Sequence, residues 1–229
     1  MRDESAQSPP ITIADIIRFS RDSQEVLSAK LLQMKFMGGA DRPAFVEIVE
    51  GALSLGAKEM ATAKDLTHDY GEDQLTDKLC FGLKLLGLPV TRERSTNGHC
   101  DLTVEGPFEL RWIGEAKIYT SYVDLYGGFK QLCDRYATGI PGQDRGGVVI
   151  YFKGGDVVNV MKTWIDYVVE NHQGMAFTND PDEPLVYVTT HSHQATGLPY
   201  TVRHQPVTLM HNPTDTAAAP KRNRAQKAA

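Results

Sequence analysis

Gly98-His-Cys-Asp101 and Phe108-Glu-Leu-Arg-Trp-Ile-Gly-Glu115-Ala-Lys117-Ile-Tyr119 are the two segments around which the predicted fold is organised. The first predicts a strand from about Cys100 to Val104, and the following Glu105-Gly-Pro107 has the composition of a tight turn. The second predicts a strand from Phe108 to Ile118. We therefore expect an antiparallel hairpin in this part of the chain.

Charged residues stand near the end of the second predicted strand. Successive residues of a strand point to opposite faces, so Glu115 and Lys117 would share one face and Ala116 would lie on the other. The hairpin would also bring Asp101 close to Glu115. Charged groups beside an apolar core are costly to remove from water, so this placement calls for a reason. We expect two carboxylates and one ammonium to meet at one place.

Two interpretations are open for this group of charges. Carboxylate oxygens suit Mg²⁺ or Mn²⁺, and such an ion lowers the pKa of a bound water and neutralises charge on a phosphate oxygen. The lysine would hold the attacking water or a phosphoryl oxygen. The alternative is a surface ion cluster, in which each pair contributes little to stability.

A helix is predicted upstream of the hairpin. Its leucines recur at helical spacing at positions 75, 79, 83 and 86, and Gly87 has the character of a C′ residue that ends the helix. Glu72 lies three residues before Leu75 and shares the buried edge of the first turn. Its carboxylate would either stabilise the helix N-terminus or serve as a third acid at the charged group.

A second amphipathic helix is predicted downstream, with its apolar stripe at Leu125, Phe129, Leu132 and Tyr136. Gly127 and Gly128 lie inside it, and each costs about 1 kcal/mol relative to alanine. This cost indicates close approach of a packed strand or of a phosphate backbone. Lys130 and Gln131 flank the stripe, either as a solvated face or as contacts to the nucleic acid or the charged centre.

Asp101, followed after thirteen residues by Glu115-Ala116-Lys117, resembles the core motif of the PD-(D/E)XK nuclease superfamily. The resemblance implies a Mg²⁺- or Mn²⁺-dependent nuclease that hydrolyses phosphodiester bonds of DNA, in restriction, repair or antiviral defence. Asp101 and Glu115 would be metal ligands, with Glu72 assisting and the Ala116 carbonyl a further ligand. Lys117 would position or activate the attacking water.

Gln131 resembles the glutamine of the RecB-like branch of this superfamily, which carries Gln-x-x-x-Tyr on the helix after the catalytic strand. The resemblance implies that Gln131 orients the centre or the substrate. In this chain the tyrosine follows one residue later, at Tyr136, and so departs from the pattern.

The fold class predicted for the whole chain is α/β, with a mixed central β-sheet flanked by helices. A buried strand is expected over 146–152, a helix capped by Asp156 after it, and further strands near 185–190 and 202–210. Residues 1–65, with helical patterns over 11–32 and after Pro43, are predicted as an N-terminal helical extension. Residues 66–211 would form the nuclease-like domain, and 212–229 a disordered basic tail.

Composition limits the partners and the location. The formal net charge of −5 over 229 residues means that DNA binding would need a local basic groove, a homo-oligomer or a protein partner that supplies specificity. Three cysteines without zinc spacing predict reduced thiols, and hence a cytoplasmic protein. No apolar run has membrane-spanning length, so no membrane partner is expected. His191-Ser-His193 suits either a metal site or a polar strand edge.

Two other classes of function remain open. The chain could be a catalytically silent binding subunit with a nuclease fold, although Asp101, Glu115 and Lys117 are all present. It could also be an adaptor of a larger complex, with residues 1–65 as its binding surface.

Overall fold

The structure is a computed structural model that describes residues 42–92, 94–95 and 99–213. The helical pattern predicted over 11–32 and the tail from residue 214 lie outside the described residues.

A seven-stranded mixed sheet forms the centre of the molecule. Its strands are β1 (Val90–Thr91), β4 (Leu102–Glu105), β5 (Arg111–Ile118), β6 (Arg145–Phe152), β7 (Ala176–Asn179), β8 (Tyr187–Ser192) and β9 (Pro199–Thr208). Their order in the sheet is β1-β4-β5-β6-β9-β8-β7, with β5, β6 and β9 parallel and the other neighbours antiparallel. The predicted α/β class with a mixed sheet and flanking helices is therefore confirmed.

Helices cover both faces of this sheet. They are α1 (Arg42–Thr62), α2 (Lys64–Thr67), α3 (Glu72–Leu85), α4 (Tyr122–Lys130), a π-helix (Gln131–Tyr136) and α5 (Val157–Asn171). Alternate residues of β5 belong to different cores, because its side chains point to opposite faces. Trp112 and Ala116 pack with α1 and α3, whereas Ile113 packs with α4, the π-helix and α5.

Several predicted boundaries match the structure and others do not. Gly87 adopts a positive φ of 87° just past α3, and the Asp156 side chain accepts the Asn159 N–H at the start of α5. The second strand of the hairpin begins at Arg111, three residues later than predicted, because Phe108 and Glu109 take positive φ angles in the turn. A separate small hairpin pairs β2 (Arg94–Ser95) with β3 (His99–Cys100), so Cys100 belongs to a different strand from Leu102–Glu105.

Helix α1 is longer than the short helix predicted after Pro43, and its apolar side lies in the same core as the sheet. The buried apolar residues of α1 are Phe45, Ile48, Val49, Ala52, Leu53, Ala57 and Met60. Glu50 is also buried, and its carboxylate accepts two hydrogen bonds from Arg145 at 2.7 and 2.9 Å. The described part of the predicted extension is therefore an integral layer of the domain.

A neutral histidine is built into the other core. His204 is fully buried on β9, between the Trp164 indole and the Thr189 hydroxyl. The Trp164 Nε1–H donates to Nδ1 at 3.0 Å, so the proton of the neutral ring is on Nε2 and is donated to Thr189 Oγ1 at 2.8 Å. Burial lowers the pKa of His204 to about 3, and the neighbouring His191 adds to the effect.

We expect this histidine to make the fold sensitive to acid. Between pH 6.5 and the lowered pKa the unfolded chain binds a proton at His204 and the folded chain does not, so stability is lost as the pH falls. The loss is about 2 kcal/mol at pH 5. Chemical unfolding of wild type and His204→Gln between pH 8 and pH 5 should show a shallower decrease for the variant, and equal slopes would contradict the assignment.

Candidate active site at the free edge of strand β5

Strand β5 has a free edge beyond the end of its hairpin partner. The antiparallel pairing with β4 runs from Glu105↔Arg111 to Leu102↔Gly114 and goes no further. Past this point the N–H groups of Ala116 and Ile118 have no strand to donate to on this side, because backbone groups of alternate residues point to the same edge. Buried backbone donors are rarely left unpaired, so side chains take the place of the missing strand.

Two carboxylates accept these N–H groups. Asp101 Oδ2 accepts the Ala116 N–H at 2.8 Å, and Glu72 Oε2 accepts the Ile118 N–H at 2.9 Å. Asp101 comes from the residue just before β4, and Glu72 from the first turn of α3. The free edge of β5 thus gathers acids that are 29 residues apart along the chain.

Lys117 joins the acids into one cluster. Its Nζ lies 3.0 Å from Glu115 Oε1 and 3.2 Å from Glu72 Oε1. The predicted sharing of one face by Glu115 and Lys117 is therefore present, and so is the predicted hairpin. We call Glu72, Asp101, Glu115 and Lys117 the carboxylate cluster.

The charges in the carboxylate cluster do not cancel. Burial, together with the charge of Asp101, raises the pKa of Glu115 to about 7. Burial also raises the pKa of Asp101, against the hydrogen bond from the Ala116 N–H. Burial acts to lower the pKa of Lys117, but the charges of Glu115 and Glu72 outweigh it and raise that pKa. Three acids around one ammonium leave an excess of negative charge.

One oxygen of the cluster has no hydrogen-bond partner among the described residues. It is Glu115 Oε2, which is buried on a side chain that is only 3% exposed. An unpaired buried carboxylate oxygen is costly, and a bound cation is one way to satisfy it. As the side chains stand, no group of three or more His, Cys, Asp or Glu among the described residues is arranged to hold a metal ion. In this cluster the Lys117 ammonium lies between two of the acids.

Helix α4 closes over the cluster at a glycine. A Cβ added to Gly128 would lie 3.1 Å from Lys117 Cγ and 3.3 Å from Glu115 Cγ. The close approach predicted at these glycines is therefore present at Gly128, and its partner is the packed strand β5. A Cβ added to Gly127 would meet no atom within 4 Å.

Gly127→Ala and Gly128→Ala form a matched pair of variants. Gly127→Ala should raise the free energy of unfolding by roughly 0.5–1 kcal/mol, because alanine favours the helix and meets nothing. Gly128→Ala should gain less stability or lose some, since its methyl group presses on Lys117 and Glu115. Any activity that depends on Lys117 should fall about tenfold or more in Gly128→Ala alone. Thermal unfolding and activity assays would show this, and identical behaviour of the two variants would contradict it.

The helix predicted to run through Tyr136 changes its winding at Gln131. It is an α-helix to Lys130 and a π-helix over Gln131–Tyr136, with the Ala137 N–H donating to the Leu132 carbonyl five residues back. Residues five apart are neighbours along a π-helix, as residues four apart are in an α-helix. One π-helical turn therefore brings Tyr136 next to Gln131 along the helix, although five rather than four positions separate them.

Gln131 and Tyr136 differ in their surroundings. Gln131 is half-buried, and its side chain makes no hydrogen bond within the described part of the chain. Tyr136 is 5% exposed, and burial raises the pKa of its hydroxyl, with the charges of Glu115 and Asp101 contributing. Tyr136 thus lies within electrostatic range of the carboxylate cluster. The spacing from Gln131 to Tyr136 departs from the Gln-x-x-x-Tyr pattern. The sequence carries no signal for the π-helix that accommodates this spacing.

The two histidines of His191-Ser-His193 occupy separate places. His191 packs against the His172 ring, with ring centroids 4.4 Å apart, and its Nδ1 is buried without a partner. His193 lies 3.3 Å from the Ala137 carbonyl and beside Thr196. Both side chains are buried, so they do not form the polar strand edge that was the alternative. Among the described residues, no group of three or more metal-binding side chains includes them.

Comparisons of this chain with protein-family models, with curated proteins and with solved structures find no match. No helix in the described ranges is both long enough and apolar enough to cross a membrane.

Proposed function

We propose that the protein is a metal-dependent nuclease that hydrolyses phosphodiester bonds of DNA. The observation that carries the proposal is the carboxylate cluster at the free edge of β5, where Glu72, Asp101 and Glu115 surround the single ammonium of Lys117. The order of these residues along the chain is the one expected from the resemblance to the PD-(D/E)XK superfamily.

The donor set fits Mg²⁺ or Mn²⁺. Both ions prefer carboxylate and carbonyl oxygens, and Glu115 Oε2 is a buried carboxylate oxygen without a partner. Asp101 and Glu115 would hold the ion together with the Ala116 carbonyl, which belongs to the same free edge, and Glu72 would assist. A divalent cation held there would activate a water molecule and neutralise charge on a phosphate oxygen.

The chain's own residues would supply the remaining steps. Lys117 would donate hydrogen bonds from Nζ to the attacking water or to a non-bridging phosphate oxygen, and so stabilise the charge that develops in the transition state. Two of its three N–H donors are directed to Glu115 and Glu72, which leaves the third for the water or the phosphate oxygen. Gln131, the first residue of the π-helix, would orient the centre or the substrate. Helix α4 would exclude water through the contact of Gly128 with Lys117 and Glu115.

The setting of this activity is also proposed. The net charge of −5 indicates that DNA affinity comes from a local surface, a homo-oligomer or a partner protein. The thiols of Cys80, Cys100 and Cys133 are free and buried, which suits the reducing cytoplasm. Restriction, repair and antiviral defence are the expected contexts.

The test is cleavage of plasmid, linear duplex and single-stranded DNA with Mg²⁺, Mn²⁺ or EDTA. We expect cutting with either ion, none with EDTA, and none by Asp101→Asn. Asp134→Asn, which removes an exposed acid from the π-helix, is the matched control and should cut like wild type. If wild type cuts no DNA, isothermal titration with Mn²⁺ identifies a catalytically silent subunit, because such a subunit should not bind the ion either.

A further inference from the structure

Four tyrosines form one continuous surface beside the carboxylate cluster. Tyr119 follows β5, Tyr122 and Tyr126 are on α4, and Tyr167 is on α5. The ring centroids are 5.6 Å apart for Tyr119 and Tyr122, 6.0 Å for Tyr122 and Tyr167, and 5.7 Å for Tyr126 and Tyr167. We call these four residues the tyrosine surface.

The tyrosine surface is an outer layer over the core. All four rings are half-buried, whereas Phe129 and Trp164 beneath them are fully buried. The Tyr126 hydroxyl donates to the Asn171 carbonyl at 2.7 Å, and the Tyr119 ring packs against the buried Phe152 ring, with ring centroids 5.4 Å apart. The rings are therefore held in place while part of each remains accessible to solvent.

The surface is continuous with the carboxylate cluster. Tyr119 is two residues after Lys117 and follows it on the same side of the extended chain, a separation of about 7 Å along a strand. Helix α4 also connects the two regions, because it carries Tyr122 and Tyr126 as well as Gly128, which contacts Glu115 and Lys117. A nucleic-acid strand bound at the carboxylate cluster would therefore run over the rings of the tyrosine surface.

Charges of both signs lie near the rings. Lys130 Nζ lies 5.2 Å from the centre of the Tyr126 ring and is exposed. The Asp124 carboxylate on the same helix accepts hydrogen bonds from the hydroxyls of Thr120 and Ser121. Burial and the charge of Asp134, on the π-helix, raise the pKa of the Tyr126 hydroxyl. Because the chain as a whole is acidic, stacking of bases on aromatic rings offers attraction that does not depend on net charge.

We propose that the tyrosine surface binds unpaired bases, so that the substrate of the carboxylate cluster is a single-stranded nucleic acid or a single-stranded end. This inference rests on the proposed nuclease function, whose substrate class it defines. The bases of a duplex are stacked on one another and cannot offer their faces to the rings. A single strand can place successive bases on Tyr122, Tyr167 and Tyr126 while its backbone passes Lys130.

The test measures binding without cleavage, in Ca²⁺ and in EDTA, by fluorescence anisotropy. The probes are a labelled single strand of about 15 nucleotides and the duplex of the same length. Tyr122→Ala and Tyr167→Ala should each weaken single-strand binding about 5- to 150-fold, the range of one lost base–aromatic stack. Tyr122→Phe and Tyr167→Phe should stay within about twofold of wild type, because the ring is kept.

Controls keep the test independent of folding and of cleavage. Tyr187→Ala removes a half-buried tyrosine from β8, outside the tyrosine surface, and should leave binding unchanged. A 2-aminopurine base in the single strand should lose fluorescence on binding to wild type, which needs no variant. Absence of quenching, equal binding of single strand and duplex, or unchanged binding by both alanine variants would overturn the inference. Single-strand binding that depends on the tyrosines, without metal-dependent cutting, would instead uphold the tyrosine surface as a binding site and reject the nuclease.

Discussion

Lys117→Met should reduce metal-dependent DNA cleavage by about 10²- to 10³-fold, the usual effect of losing one charged donor to a transition state. Methionine keeps much of the length of the side chain and removes the ammonium that lies between Glu115 and Glu72. The reason for the loss is that the Lys117 ammonium contacts two of the acids directly and would hold the attacking water or the phosphoryl oxygen. Initial cleavage rates with Mn²⁺ measure the effect.

Lys84→Met is the matched control for this variant. It removes the same charge from an exposed position near the C-terminal end of α3, at the opposite end of the helix from Glu72. Cleavage by Lys84→Met should stay within a few-fold of wild type, since exposed charges contribute mainly screened attraction. Equal rates for Lys117→Met and wild type would show that the cutting comes from elsewhere.

Mn²⁺ binding separates a lost reaction from a lost fold. Lys117→Met leaves Glu72, Asp101 and Glu115 without their internal cation. The ion should therefore raise the melting temperature of the variant by more than it raises that of wild type. A folded variant that neither cuts nor responds to Mn²⁺ would contradict the assignment of the acids as metal ligands.

Glu50→Ala should cost about 3–5 kcal/mol of stability, the range for removing one partner of a buried ion pair. Glu50 accepts two hydrogen bonds from Arg145, and its Oε2 lies 3.7 Å from the buried Arg203. The Trp112 indole also donates to Glu50, at 3.4 Å. Truncation removes the acceptor of Arg145 and of the Trp112 indole in the core between α1 and the sheet, whereas Arg203 keeps its bonds to Glu183, Ser54 and Gln205. Equilibrium unfolding in urea measures the loss.

Glu59→Ala provides the comparison on the same helix. Glu59 is exposed on α1, so its truncation should change the free energy of unfolding by no more than about 0.5 kcal/mol. Similar losses for the two variants would mean that α1 is held by its apolar residues alone, and that the buried ion pair adds nothing.

Features that depend on local pattern were predicted from the sequence. The period of two in β5 places Glu115 and Lys117 on one side, and the hairpin brings Asp101 to the same strand. Helix α3 and its end at Gly87 follow from leucine spacing and from the backbone freedom of glycine. Such patterns are visible in sequence because each is set by residues that are close along the chain.

Features that depend on long-range packing were decided only in three dimensions. The four residues of β7 are all exposed and carry no apolar pattern, so pairing with β8 alone defines this strand. Glu72 is held at the site by the Ile118 N–H, 46 residues away, and the π-helix places Tyr136 within electrostatic range of Glu115. The free edge of β5 exists because β4 stops at Leu102. The sequence alone therefore determined which charged residues face each other on one strand. The tertiary structure decided which distant groups complete the cluster, because an unpaired backbone edge selects its partners by position in space.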